Sequence, residues 1–374
     1  MDIAVLFVNR KEAKAGDWDG RDSNDDAESV INALKSLGHN VTTHFVDANL
    51  YEKLNDKRKD IDLVFNICDD GFYTNPELEP HLPAMLDILK MTYTGSNYLC
   101  LAITMNKALV KKLLTYHNLP TPNFQVFETG DEPIREDLKF PLIVKPVRED
   151  ASIGIRDRSV VSNKEDLLKR IDIVIKRYKQ PALVEEFIDG REFNVGVIGD
   201  GNKEVLPIAE IAFDGMPDRK PRIVNYDAKW KENSVSFKFT NRKCPAEIPV
   251  DLKQKLKELA IKAGAIFNCK DYFRVDFRVR DNEPYILEVN QNPDISENAG
   301  LASMAKAAGY TYTDLIDRII KSALTRKEEK KRIREVIKSD EEIKEKQNAP
   351  EASAENTSNS NNKVEQKTEI IQEK

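Results

Sequence analysis

The stretch that most constrains this chain is Tyr272 to Asn290, YFRVDFRVRDNEPYILEVN. Charged and apolar side chains alternate over residues 273 to 279, residues 285 to 289 are mostly apolar, and RDNEP between them carries turn formers. That pattern predicts a β-hairpin. Strand periodicity puts Arg274, Asp276 and Arg278 on one face and Phe273, Val275 and Phe277 on the other. On the second strand Ile286, Glu288 and Asn290 are expected to share a face. A turn centred near Asn282 sets Asp276 opposite Glu288 and Arg274 opposite Asn290. Two carboxylates and an amide oxygen then converge beside a guanidinium. These hard oxygen donors suit Mg²⁺ or Mn²⁺ held jointly with nucleotide phosphates better than they suit zinc. Arg274 is of the kind that grips a phosphoryl or carboxylate oxygen through two N–H groups. Met in isolation, such a hairpin is most often a solvated strand face with cross-strand ion pairs, so the rest of the chain has to decide.

With 374 residues there is length for two or three folded units, each with its own core. Acidic and basic residues are mixed throughout and the formal charge is -6, which argues against nucleic-acid binding driven by a basic surface. Cys68, Cys100, Cys244 and Cys269 are scattered, with no CxxC pair, and are expected as reduced thiols of a cytoplasmic protein. The start MDIAVLFVN reads as a strand and not as a secretion signal, and no apolar run is long enough to cross a bilayer.

Taken in order, residues 2 to 8, NVTTHFVD and IDLVFNIC read as strands, with a helical pattern from Ala27 to Leu37 between the first two. The alternation predicts an open α/β unit whose ligands gather at strand carboxyl ends, near Asn9 and near Asn66 to Gly71. Asp69 and Asp70 there serve either turn chemistry or a substrate. Asn75 to Lys90 and Ile103 to Tyr116 read as helices, the second carrying Lys107. FPLIVKPVREDASIG is a strand ending in Lys145 and running into a small-residue loop, which can set a point charge and backbone N–H groups against a polyphosphate. ALVEEF and EFNVGVI place Glu185, Glu186 and Glu192 inside apolar β stretches. Buried carboxylates need partners, so these either meet an adenine amino group and ribose hydroxyls or lie on exposed edges. IVNYDAKWKENSVSFKF is expected as a mobile loop with Tyr226, Lys229 and Trp230, Asp251 to Gly264 as an amphipathic helix, and Thr313 to Leu324 as the last helix of the folded part. Beyond Thr325 a charged helix and a polar tail too poor in apolar residues to fold are expected.

Over roughly residues 60 to 322 the chain resembles the ATP-grasp superfamily, and within it the D-alanine:D-alanine ligase branch. The resemblance rests on MNKALVKKLL, FPLIVKPVREDASIG, ALVEEFIDGREF, NYDAKW and RVDFRVRDNEPYILEVNQNP standing in the family's order. It implies an α/β substrate domain over 1–102, a central ATP-grasp domain over 103–190 and a carboxyl-terminal ATP-grasp domain with the metal site over 191–324, with the charged helix and disordered tail of 325–374 beyond it.

What the resemblance implies for individual residues is specific. Lys107 and Lys145 would contact ATP phosphates, with Lys229 in a closing loop. The 149 to 154 loop would cover the phosphates, Ser152 being one contact. Glu185 would meet the adenine amino group, the backbone of Glu186 to Ile188 would complete the adenine contacts, and Glu192 would hold the ribose. Asp276, Glu288 and Asn290 would bind two Mg²⁺ or Mn²⁺ ions, and Arg274 would stabilise the transferring phosphoryl group. The implied reaction is ATP-dependent amide formation between a small-molecule carboxylate and an amine through an acyl phosphate, in a homodimer by family analogy.

Departures from the family lie on the substrate side. NRKEAKAGDWDG stands where the family has a Gly-rich GG[TS]SAE-type segment, and CDDG stands where it has HG after the third strand. Asp294 takes the place of a small residue after Pro, Ala299 that of a serine, and Trp230 follows Lys229 where Tyr or Phe is more usual. The reaction class is thereby retained while the substrate is open: D-alanine, another amino acid, or a larger peptide or cofactor precursor. A nucleotide-binding scaffold whose charged tail recruits partners is the alternative of a different class.

Overall fold

A computed structural model describes residues 1–8 and 23–348. The chain forms two compact units, Met1–Glu328 and Glu329–Lys374. The second unit begins within the last helix, and the expected unfolded tail after Asn348 lies outside the described residues. Among the described residues no helix is long and apolar enough to cross a membrane.

The first unit opens with strand β1 (Asp2–Phe7), helix α1 (Ser23–Ser36), β2 (Asn40–Phe45), α2 (Leu50–Lys57) and β3 (Leu63–Asn66). The strands form a parallel sheet in the order β2-β1-β3. The apolar run of β1 is buried along its length because helices cover such a sheet on both faces. The ligand end expected near Asn9 lies outside the described residues. The CDDG turn depends on Gly71: its φ is +66°, and a Cβ there would sit 2.4 Å from the Asn75 carbonyl oxygen.

Two helices differ from the sequence expectation. After a 3₁₀ turn at Phe72–Thr74, the Asn75 to Lys90 stretch becomes a 3₁₀ turn at Pro76–Leu78 followed by α3 (His81–Ile88), because Pro76 and Pro80 lack the N–H groups a continuous helix needs. The Ile103 to Tyr116 pattern splits into α4 (Tyr98–Thr104) and α5 (Lys107–Tyr116), because the Asn106 side chain accepts the Leu109 N–H and starts a new helix.

Next come β4 (Phe124–Phe127), β5 (Leu142–Pro146), β6 (Val160–Val161), α6 (Lys164–Tyr178) and β7 (Ala182–Glu186), an antiparallel sheet of order β4-β7-β5-β6 packed on α6. The chain then enters β8 (Arg191–Ile198), β9 (Glu204–Val205) and β10 (Ala209–Ala212), followed by two short helices, α7 (Tyr226–Trp230) and α8 (Val235–Lys238). These replace the expected loop, started by caps from Asn225 and Ser234. After β11 (Asn241–Lys243) and α9 (Val250–Ile266) come β12 (Tyr272–Arg280) and β13 (Glu283–Asn290), the expected hairpin. The six-stranded sheet runs β11-β10-β8-β12-β13, with β9 on β8, so β12 has neighbours on both sides. One face of β8, β12 and β13 buries Phe193, Val195, Phe273, Phe277 and Ile286 against α9. The other face carries the charged residues. Helices α10 (Gly300–Ala307), which sequence reading missed, and α11 (Tyr312–Asn348) complete the order, α10 and the start of α11 packing on the first sheet's core.

Candidate active site

The polar face of the hairpin is the floor of a cleft of about 710 Å³. Its register pairs Arg274 with Asn290 and Asp276 with Glu288, with a bulge between Asp276 and Phe277. Beyond the bulge Phe277 pairs with Ile286, so Leu287 is the extra residue. One inserted residue reverses which face the strand presents. Ile286 is therefore buried in the apolar core, against the expectation that it shares a face with Glu288, and Leu287 lines the cleft instead.

Asp276 is gripped by Arg274, whose Nε and Nη2 donate to its two oxygens at 2.7 and 2.8 Å. Asn194, paired with it across the sheet on β8, donates to the same carboxylate at 2.8 Å. Burial opposes the Arg274 charge, but Asp276 and then Glu288 outweigh it and hold the guanidinium above its usual value. Burial likewise opposes the Glu288 charge, yet Lys107, Lys229, Arg274 and Lys145 bring its carboxyl down to about 2. Lys107 lies 3.5 Å from it. Lys107 is the first residue of α5 and is largely buried, which a helix face read from sequence does not reveal.

On the other sheet, Glu185 is only 1% exposed and sits between two lysines, 2.6 Å from Lys111 Nζ and 2.5 Å from Lys145 Nζ. The exposed-edge reading fails for it and for Glu192, also buried. Both Glu185 oxygens lie within ion-pair distance of a lysine, yet neither has a hydrogen-bond partner among the described residues. Burial pushes Glu185 up, but the two lysines win and hold it at about 2. Glu186 turns the other way and accepts the Lys139 N–H at 3.0 Å, while Ile188 is buried at the cleft wall. Glu192 pairs with Arg278 at 2.8 Å, and Arg278 is itself fixed by the Gly190 and Arg222 carbonyls. Burial nevertheless raises the Glu192 carboxyl above its ordinary value. Ile143, Ile188, Ile211, Val224 and Leu287 line an apolar part of the same cleft.

Two loops edge the cleft and are stitched together. Ser152, with φ of +63°, donates its hydroxyl to the Val224 carbonyl at 2.7 Å, so that oxygen braces the loop. Trp230 Nε1 donates to the Ala151 carbonyl at 3.0 Å, and the Arg156 guanidinium pairs with Asp227 at 2.5 Å and stacks over Tyr226. Lys229 lines the cleft. Desolvation and the neighbouring Arg274 lower its ammonium, with Glu288 and Asp276 opposing.

The far wall is acidic: Asp69 at the end of β3, Glu79 and Asp294. Glu79 is 6% exposed and accepts from Asn292 Nδ2 at 3.3 Å. Burial, then Asp69 and Asp150, push its carboxyl well above the usual carboxylate range.

Against known proteins, the profile described as "D-ala D-ala ligase C-terminus" matches residues 113–321. A D-alanine–D-alanine ligase of Carboxydothermus hydrogenoformans is 34% identical over 303 residues, 78% of this chain and 90% of that protein. The chain belongs to the D-alanine–D-alanine ligase family. It is an ATP-grasp, ATP-dependent carboxylate–amine ligase. An uncharacterized Sinorhizobium fredii protein, y4sG, is 32% identical over 79% of this chain and 86% of its own length. The crystal structure of the Bacillus anthracis D-alanine–D-alanine ligase complexed with ATP superposes with a TM-score of 0.66 at 25% identity, covering 88% of this chain and 99% of that one.

In this ligase five residues that sequence reading left without a role shape the cleft. Asn194 stands two residues from Glu192 on one strand face, and Arg278 two from Asp276, so strand periodicity held the signal for both. Lys111 stands four residues from Lys107, on the same helix face. Glu79 and Arg242 left no such signal, since loop and edge-strand geometry bring them in.

Proposed function

We propose that this ligase activates an amino-acid carboxylate as an acyl phosphate and couples it to the amine of a second amino acid, D-alanine being the reference substrate because relatives carry that name. The observation that carries the reading is the convergence of Lys107, Lys145, Lys229 and Arg274 with Asp276, Glu288 and Asn290 in one cleft beside an apolar slot. A scaffold that only binds nucleotide would have no use for that many converging charges.

The assigned roles follow the geometry. The apolar slot and the backbone of Glu186 to Ile188 take the adenine, and Glu192, steadied by Arg278, takes the ribose. Lys107, Lys145 and Lys229 meet the phosphates, covered by the loop around Ser152. The Asp276, Glu288 and Asn290 oxygens form a hard donor set. Among the described residues no group of three or more His, Cys, Asp and Glu side chains gathers for a metal, so phosphate and water oxygens must complete the coordination. Two divalent cations held there would neutralise charge on the phosphoryl group.

A substrate carboxylate oxygen attacks the γ-phosphorus, the bond to the β-phosphate oxygen breaks, and ADP leaves. The amine nitrogen then attacks the acyl carbon, the carbon–oxygen bond to phosphate breaks, inorganic phosphate leaves, and the nitrogen loses a proton. Arg274 stabilises the oxygens that gain charge in both steps, and the lysines hold the reacting groups in line. The stitched loops exclude water, which would hydrolyse the acyl phosphate. Domain limits at 102, 190 and 324 are proposed on the same reading. Hydroxylamine added with ATP, Mg²⁺ and an amino acid tests it: a hydroxamate should accumulate, and its absence with every amino acid tried would refute the acyl phosphate.

A further inference from the structure

Lys111 is 1% exposed and does not line the cleft. A lysine so deeply buried needs its charge matched and its three protons placed. It has three partners on three segments: Glu185 Oε1 at 2.6 Å, Thr121 Oγ1 at 2.7 Å and the Ile286 carbonyl at 3.0 Å. Glu185 belongs to β7 of the four-stranded sheet, and Ile286 to β13 of the six-stranded sheet. The Ile286 carbonyl lies at the bulge, just before Leu287 and Glu288 turn into the cleft, and Thr121 also donates to it at 2.8 Å. The other Glu185 oxygen holds Lys145. One ammonium thus joins the strand that aims Glu288 to the carboxylate that aims Lys145.

We propose that Lys111 is a positioning residue: it shares Glu185 with Lys145, so that Lys145 keeps positive charge for the nucleotide phosphates, and it locks the bulge that presents Glu288. The inference rests on the ATP-dependent reading above. Its electrostatic core is simple. Lys111, Glu185 and Lys145 together carry one net positive charge; without Lys111, Glu185 and Lys145 close into a neutral pair. Removing one member of a buried ion group leaves the rest unbalanced, whereas replacing a matched pair by neutral groups is often tolerated.

The test uses the full chain, with ATP affinity measured by calorimetry in Mg²⁺ and by KM during turnover. Lys111→Met is expected to weaken ATP binding about tenfold, the size of one lost charge-assisted contact, with kcat changed far less. Lys111→Met with Glu185→Gln restores the net positive charge and should recover most of that affinity. A residue that only fills space would show no such recovery. Unchanged ATP affinity in the folded single variant, or a double variant no better than the single, overturns the proposal. Should the single variant not fold, Thr121→Val serves: it trims one partner of Lys111 and should raise the ATP Kd about threefold, and an unchanged Kd overturns the proposal. A parent chain that binds no ATP overturns the ligase reading as well; a parent that binds it beside an equally tight Lys111→Met chain overturns this inference alone.

Discussion

The two walls of the cleft treat carboxylates in opposite ways. On the cationic wall, Glu185 is buried and Glu288 partly exposed, and the surrounding lysines hold both at about 2, so they stay charged across the physiological range. On the acidic wall, Glu79 is buried but faces Asp69, Asp150 and the neutral Asn292 amide, and its carboxyl is pushed well up. Glu185 and Glu79 are both buried, so between these two the neighbours decide the charge state. On the proposed reading, the cationic wall suits a ligand of fixed, high charge.

The sharpest break in that contrast comes from Glu288→Gln, which removes a carboxylate that four cations are arranged around. Turnover is expected to fall on the order of 10³-fold, measured as amino-acid-dependent ADP formation. Arg274→Met should cost about 10²-fold in kcat with a small change in KM for ATP, because its charge acts on the transferring group. Glu192→Gln should leave kcat nearly intact and raise KM for ATP about tenfold, the loss expected of a hydrogen bond to a charged acceptor. Glu79→Gln should alter KM for the amino acid and leave KM for ATP alone, which separates the two walls in one variant.

The smallest effect is on stability, and its sign differs between the walls. Glu79 has a folded pKa above its unfolded value, so its ionisation opposes folding and that burden grows as pH rises. Glu79→Gln should therefore gain stability relative to the parent as pH rises, in denaturant titrations. Glu185 and Glu288 have folded values below their unfolded ones. Their contribution is complete above about pH 4.3 and is lost as pH falls toward 2.

Sequence legibility divides along the same line. The Asp276–Glu288 and Arg274–Asn290 register was readable because a hairpin with a short turn leaves few pairings open. The bulge was not, since YILEVN carries no mark of which residue is extra, and so Ile286 was set on the wrong face. Glu185 sat in an apolar strand that predicted need of a partner, but not that Lys111, one of several lysines in a helix, would supply it. The α/β alternation of the first hundred residues was readable from period and length, whereas the division of ALVEEF and EFNVGVI between two sheets was not. The helix breaks at Pro80 and Asn106 came from single residues within otherwise regular patterns. On the acidic wall, Glu79 and Asp294 lie on irregular segments, where periodicity says nothing about direction.

The most direct measurement is phosphate release from ATP and Mg²⁺ with D-alanine, other D- and L-amino acids and short peptides, the Glu288→Gln chain serving as control. Release that requires an amino-acid substrate and disappears in the control is the expected result, and the substrate that elicits it names what this ligase accepts. Phosphate release that needs no amino-acid substrate, or that persists undiminished in Glu288→Gln, would contradict the assignment of this cleft to acyl-phosphate chemistry.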